Sequence, residues 1–145
     1  MDLKLTQSLY DDFPSLFQRH TLGMDRSCMY FGIQILSGWY QILYRLSTFI
    51  STVVSEKNLD LEAYCYEQIK EKFGLLRVYM HGGMTEEMGE AIRRAEEESA
   101  RTCEVCGREG QLENNGWLRT RCKDCEERRE QEQAKRTWDR QAARV

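Results

Sequence analysis

Two Cys-x-x-Cys pairs in the last third of the chain constrain its folding more than any other feature. The first pair is Cys103 and Cys106, and fifteen residues separate it from the second pair, Cys122 and Cys125. A two-residue gap lets both thiolates of a pair face one ion, and this separation of the pairs is typical of four-cysteine zinc sites. Gly107 allows the backbone to turn tightly around the sulfurs. The sequence therefore predicts one zinc ion bound by all four cysteines.

The predicted compartment decides between zinc and the other uses of clustered cysteines. The chain has no apolar run of membrane-span length, and its start, Met-Asp-Leu-Lys, lacks the charged-then-apolar order of a secretion signal. We therefore expect a cytoplasmic protein without a membrane partner. Two disulfides would need an oxidising compartment, and an iron–sulfur cluster is less usual at this spacing. Zinc is the favoured reading, with these two alternatives open.

The predicted zinc is structural rather than catalytic. Four thiolates fill a tetrahedral shell and leave no position for a reactive water. Neither histidine of the chain lies within the module, which we place at residues 102–126. The turn signal Asn114-Asn115-Gly116 predicts a short hairpin between the cysteine pairs, and Cys122 and Cys125 are expected to open a helix. This order looks like a treble-clef zinc finger.

The residues before the module, 1–101, are expected to form an α+β body. Apolar residues spaced by three and four predict a helix over Trp39–Val54, and one or two short helices are expected over Leu3–Phe17, where Pro14 interrupts the pattern. Thr85 is expected to cap a further helix that runs to residue 100. The buried stripe of that helix is predicted to be Met84, Met88, Ala91, Ile92 and Ala95.

Two segments of the body have the composition of strands. Tyr64–Met80 is predicted to be a β-hairpin that turns near Phe73 and Gly74. The apolar and aromatic run Cys28–Ile35 is predicted to be a short buried strand. The fold class that follows is a small sheet with a β-hairpin, covered by helices, plus the zinc finger and a charged C-terminal helix over residues 127–145.

The cysteines and histidines outside the module have no visible chemical partner. Cys28 and Cys65 lie in apolar surroundings, and we expect both to be small buried side chains. His20 and His81 have no acid or nucleophile near them in sequence, so neither is expected to be catalytic.

Charge argues against a protein that coats nucleic acid. The formal net charge is −3, from 21 basic and 24 acidic residues. Residues 1–100 carry 10 basic and 15 acidic side chains, whereas residues 101–145 carry 11 and 9, so the excess of basic residues is confined to the tail. A local patch there remains an alternative. Its base-stacking residue would be Trp117, and its phosphate contacts would be Arg119, Arg121, Arg128 and Arg129.

The acidic residues interleaved with these arginines leave the tail little net positive potential, which favours a solvated helix. A second charged cluster surrounds the predicted hairpin turn at Lys70, Lys72 and Arg77. It has the residue types of a small anion site, but an exposed turn stabilised by local charge pairs is the favoured reading. This turn is nevertheless the best surface of the body for a protein partner.

These motifs together resemble a family of small proteins from bacteria, prophages and phages. The resemblance covers about Pro14 to Cys125. It rests on the segments Tyr30-Phe31-Gly32, Gly38-Trp39-Tyr40, Ile69-Lys70-Glu71-Lys72-Phe73-Gly74 with Leu76-Arg77 and Tyr79, Ser99 to Gly107, and Gly116-Trp117-Leu118-Arg119-Thr120 with Cys122. Many relatives end near a Cys-x-x-His pair, whereas this chain has Cys125 and a further charged helix. The resemblance implies a phage or prophage origin, and it brings no established activity with it.

The function expected from sequence is therefore binding rather than catalysis. The chain is expected to be a zinc-stabilised interaction protein that binds and modulates a host protein or defence machine in the host cytoplasm. The alternative is a nucleic-acid-binding module that uses the finger and the basic residues of the last helix. The sequence leaves homo-oligomerisation open.

Overall fold

The computed structural model describes residues 1–114 and 116–143. The predicted turn residue Asn115 and the end of the predicted last helix, Arg144 and Val145, lie outside the described residues. The described part is α+β, as predicted, and its two small sheets are both antiparallel. The helices are α1 (Leu3–Asp12), α2 (Pro14–Phe17), α3 (Tyr40–Glu56), α4 (Glu86–Ser99) and α5 (Lys123–Ala142). The strands are β1 (Tyr64–Lys72), β2 (Leu75–Gly82), β3 (Gln111–Asn114) and β4 (Leu118–Arg121).

Local sequence signals set the helix ends. The Asp2 carboxylate accepts a hydrogen bond from the Lys4 N–H at 2.9 Å and so begins α1, and Pro14 begins α2 at a position where no N–H is needed. The Thr85 hydroxyl accepts from the Met88 N–H and begins α4, as predicted. The predicted break at Pro14 and the predicted cap at Thr85 are both confirmed.

Helix α3 is central to the core of the body. Its predicted extent, Trp39–Val54, agrees with the observed helix within two residues. The Ser47 hydroxyl lies 3.0 Å from the Tyr66 hydroxyl on β1, and both side chains are fully buried. The Tyr66 ring also packs against Phe17, with the ring centroids 4.9 Å apart. The body therefore closes around one core that α3 shares with the sheet and with the N-terminal helices.

Strands β1 and β2 form the predicted hairpin. The turn consists of Phe73 and Gly74, and both have a positive φ, 56° and 77°, as two-residue hairpin turns of the primed type require. The pairing register shifts between Tyr66 and Gln68, so Glu67 lies at a β-bulge. The predicted turn position is confirmed.

The predicted buried strand at Cys28–Ile35 is wrong. Residues Cys28–Phe31 form a short 3₁₀ turn, which the Ser27 hydroxyl caps, and Gly32 then takes a positive φ of 71° that an extended strand cannot contain. Only Gln34 pairs with the sheet, through one isolated bridge to Lys70. The segment is apolar because parts of it fill the core, and burial alone does not specify an extended backbone.

Two burial predictions also need correction. Cys28 is exposed rather than buried because it lies on the outer side of the 3₁₀ turn. Met84 precedes the cap of α4 and is exposed, so it does not belong to the buried stripe of that helix. Cys65 is buried as predicted.

Helix α5 is continuous from Lys123 to Ala142, with Cys125 in its first turn and an exposed surface from Glu130 to Ala143. Among the described residues, no helix is both long enough and apolar enough to cross a membrane.

Candidate metal centre

The four predicted cysteine ligands meet at one point. The sulfurs of Cys103, Cys106, Cys122 and Cys125 all lie within 4.8 Å of one another, and the Cys106 and Cys122 sulfurs are 3.6 Å apart. A tetrahedral shell with metal–sulfur distances of about 2.3 Å has sulfur–sulfur edges of about 3.8 Å. The cluster therefore has the dimensions needed to hold one metal ion.

Two different local structures supply the two pairs of cysteines. The first pair lies in a tight backbone turn, in which the Gly107 N–H donates to the Cys103 carbonyl at 2.9 Å and the Cys103 N–H donates to the Arg108 carbonyl at 2.7 Å. Gly107 has a φ of 76°, which a residue with a side chain rarely adopts. In the second pair, Cys122 is the N-cap of α5 and Cys125 lies in its first turn. The predicted opening of a helix by the second pair is confirmed.

Arg108 is the cation next to the sulfurs. Its Nε lies 3.4 Å from the Cys106 sulfur, its Nη2 lies 3.6 Å from the Cys122 sulfur, and it also pairs with Asp124 at 2.9 Å. Four thiolates around a dication leave excess negative charge, which a guanidinium at this distance offsets.

The cysteine thiols differ in their ease of ionisation. Burial raises the pKa of Cys106, but hydrogen bonds from Arg108 and from neighbouring thiols outweigh it and lower that pKa to about 6. Burial, together with hydrogen bonds to the other thiols, raises the pKa of Cys125 to about 12. Coordination requires thiolates, so metal binding must displace the proton from Cys125.

The metal-binding turn packs directly on the body through Gly38 and Trp39. The Gly38 N–H donates to the Glu104 carbonyl at 2.8 Å, and the Trp39 indole N–H donates to the Thr102 carbonyl at 2.7 Å. A Cβ at Gly38 would lie 2.1 Å from the Cys103 carbonyl oxygen, closer than any real contact. The approach of the two backbones therefore requires glycine at position 38.

A second contact joins the turn of the body hairpin to the strands of the hairpin between the cysteine pairs. The Thr120 hydroxyl on β4 donates to the Gly74 carbonyl at 2.6 Å, and both atoms are buried. A Cβ at Gly74 would lie 2.3 Å from a methyl group of Leu112 on β3. The hairpin of the body and the hairpin between the cysteine pairs therefore lie against each other.

The structure places the arginines predicted for phosphate binding in two groups. Arg121 pairs with Glu104 at 2.8 Å and with Glu126 at 3.6 Å, and its side chain is mostly buried. Arg129 also pairs with Glu126. By contrast, Arg128 is exposed on α5 and Arg119 is partly exposed on β4, and neither has an ion pair within the part of the chain that the structure describes.

The charged residues of the first hairpin are likewise divided. Arg77 pairs with Glu96 of α4 at 3.1 Å. Lys70 and Lys72 have no carboxylate partner among the described residues, and their ammonium groups lie over the rings of Tyr79 and Phe73, 5.4 and 5.3 Å from the ring centroids.

Trp117 and Phe73 lie at the tips of the two hairpins, and each is 64% exposed. Both line an open recess of about 410 Å³, together with Leu118 and Gly116. The sequence singled out Trp117 but not Phe73. The available signal for Phe73 was an aromatic residue at a turn position that favours asparagine.

His81 has a partner that its sequence neighbours do not reveal. Its Nδ1 lies 3.3 Å from the carboxylate of Glu67, which also pairs with Arg19 at 2.7 Å. The bulge at Glu67 aims this carboxylate towards both groups. The pairing of the two strands, rather than proximity along the chain, brings Glu67 to His81.

Comparison of the chain with protein-family models, with curated proteins and with solved structures finds no match. The fold and the site together define a small α+β protein with a cluster of four cysteines that could hold a metal ion.

Proposed function

We propose that this chain is a non-enzymatic binding protein in which a structural zinc ion fixes a surface for a protein partner. The observation that carries the proposal is the position of Phe73 and Trp117, two exposed aromatic rings that line one recess. Aromatic side chains exposed at adjacent sites are typical anchors of protein interfaces. The cysteine cluster supports the structural zinc ion of the proposal.

Zinc is the metal that best suits the cluster. Zn²⁺ takes four thiolates in a tetrahedral shell, and such closed sites stabilise a fold rather than bind substrate. Cys106 and Cys122 lie on either side of the hairpin that carries Trp117, and Cys103 and Cys106 bound the turn that packs on Gly38. Zinc would therefore hold the Trp117 hairpin against the body.

A protein partner is favoured over nucleic acid because two of the four predicted phosphate contacts are occupied and the chain is acidic overall. Arg121 and Arg129 are neutralised by carboxylates, and the net charge of the chain is −3. Affinity for nucleic acid depends on the number of free cations that meet phosphates. The resemblance to phage and prophage proteins supports the further proposal that the partner is a host protein or defence machine in the host cytoplasm.

The proposal is tested by affinity capture with the zinc-loaded, full-length chain. Bacterial lysate is treated with nuclease, and the bound proteins are quantified by mass spectrometry and then rebound in purified form. We expect a single protein in stoichiometric amount, with recovery strongly reduced by Trp117→Ala. Trp138→Ala is the matched control, since Trp138 is 72% exposed on α5, away from the recess.

Recovery of nucleic acid alone, lost at high salt or after nuclease treatment, would contradict a protein partner. If Trp117→Ala and Trp138→Ala reduce recovery of the captured protein equally, the recess is not the specific binding surface, and the proposal is contradicted.

A further inference from the structure

We propose that the recess between Phe73 and Trp117 binds one large apolar side chain of a protein segment whose neighbouring residues are acidic. This inference rests on the proposed function and specifies the partner chemistry. It follows from three observations: a strained aromatic residue at the recess, a second aromatic wall, and two lysines, one in the lining and one beside it, that meet no carboxylate among the described residues.

The strain is at Phe73. Its φ of 56° lies in the left-handed region, which is unfavourable for a bulky residue by about 1–2 kcal/mol. Asparagine is the preferred residue before glycine in such a turn. The Phe73 ring is 64% exposed, so apart from the Lys72 ammonium group over it, little packing on the rest of the chain offsets the strain. Backbone strain of this kind is characteristic of residues kept for binding.

The second wall of the recess is Trp117. Its hairpin is pressed against the first one, because Thr120 bonds to the Gly74 carbonyl and Gly74 leaves no room for a side chain next to Leu112. These contacts hold the backbones of the two hairpins against each other. Two exposed aromatic rings on one recess favour an aromatic or large aliphatic guest.

Lys72 lines the recess, and Lys70 lies two residues before it on β1. Lys70 and Lys72 are two residues apart on the strand and so face the same side. Neither meets a carboxylate within the described residues. Glu71, between them, also lines the recess and accepts the Gly74 N–H, so these three side chains together carry a net charge of +1. A guest flanked by aspartate or glutamate would supply the missing counter-charges.

Single-stranded nucleic acid is the competing occupant, since bases also stack on aromatic rings. Two lysines give it few phosphate contacts, and the body around them has an excess of five acidic side chains, 15 against 10 basic over residues 1–100. The observations therefore favour an acidic protein segment.

Phe73→Asn separates binding from folding. Asparagine relieves the strained turn, so we expect this variant to keep its zinc and to raise the melting temperature by about 3 °C. The same variant removes one wall of the recess. A fall in the melting temperature would show that Phe73 serves the fold and would overturn the proposal.

Binding is followed by ¹⁵N NMR of the zinc-loaded full chain with capped synthetic peptides. The probe is Asp-Glu-Trp-Glu-Asp, and its matched controls are Asp-Glu-Ala-Glu-Asp and Lys-Lys-Trp-Lys-Lys. For so short a probe we expect a Kd on the order of 1 mM. Shifts should be confined to the two hairpin tips. Phe73→Asn should weaken binding by about tenfold, equivalent to 1.4 kcal/mol, and Trp138→Ala should not change it.

Three results would overturn the inference: equal binding of the acidic and basic tryptophan peptides, unchanged binding by Phe73→Asn, or stronger binding of an oligothymidine than of the acidic peptide. If a captured host protein binds wild type and Phe73→Asn equally, the proposed function stands and this inference fails. If no protein partner is captured but the acidic peptide binds as described, the inference about the recess holds and the proposed function fails.

Discussion

The Thr120 hydroxyl donates a buried hydrogen bond of 2.6 Å to the carbonyl of Gly74. One residue belongs to the strand that precedes the second cysteine pair, and the other is in the turn of the body hairpin. The Glu104 N–H, within the first cysteine pair, donates in turn to the Thr120 carbonyl at 2.9 Å. The backbone around the four clustered cysteines and the body hairpin are thus coupled through one threonine, so disorder at the cysteines should be transmitted to the hairpin.

Removal of the metal should destabilise the body as well as the module. We expect one zinc per chain by elemental analysis, and a chelator should lower the melting temperature and broaden the amide signals of β1 and β2. Cys122→Ser should reproduce this effect because a structural zinc site contributes its binding free energy to folding.

Cys28→Ser is the matched control for Cys122→Ser, because Cys28 is exposed and is not one of the four clustered cysteines. It should retain one zinc. A chelated chain with an unchanged melting curve would contradict a structural role for the ion.

Gly38→Ala should be strongly destabilising. The added Cβ would lie 2.1 Å from the Cys103 carbonyl oxygen and 2.6 Å from the Glu104 carbonyl carbon, and both are backbone atoms that cannot rotate away. We expect a loss of about 3 kcal/mol in the free energy of unfolding by urea denaturation. Gly89→Ala is the control, since its Cβ would meet only the flexible Met84 side chain, and alanine favours a helix by about 1 kcal/mol.

Arg121→Ala should reduce stability rather than selectively reduce nucleic-acid binding. The Arg121 side chain is only 15% exposed, and its loss leaves the buried Glu104 carboxylate without its 2.8 Å partner. Removing one member of a buried pair is destabilising by about 3 kcal/mol. Arg128→Ala, which removes an exposed arginine from α5, should change the unfolding free energy by less than about 0.5 kcal/mol. Equal effects of the two variants in urea denaturation would contradict this assignment.

Stability should fall at alkaline pH because of Tyr66. Burial raises the pKa of Tyr66 above its usual value of 10.0, an effect that the hydrogen bond with Ser47 only partly opposes. The folded state therefore keeps the neutral phenol, while the unfolded chain ionises above about pH 10, so the unfolding free energy decreases there. In Tyr66→Phe this decrease, measured by urea denaturation between about pH 9 and 11, should be smaller. An identical pH profile in wild type and variant would contradict the assignment.

The sequence determined what depends on near neighbours along the chain. The spacing of the apolar residues predicted α3, the pair Phe73-Gly74 marked the hairpin turn, and Cys-x-x-Cys spacing marked the ligands, because helix periodicity, turn dihedral angles and chelation are short-range properties. The prediction of a strand over Cys28–Ile35 was wrong because an apolar run specifies burial, whereas the positive φ of Gly32 and the Ser27 cap specify a turn.

Only the tertiary structure decided what depends on contacts between distant residues. It paired Arg121 with Glu104 and His81 with Glu67, and it brought the tip at Phe73 beside the tip at Trp117. These relationships follow from the packing of two hairpins and from the close approach of Gly38 to the metal-binding turn. Such packing is set by the sum of many weak long-range contacts, and no local spacing in the sequence encodes it.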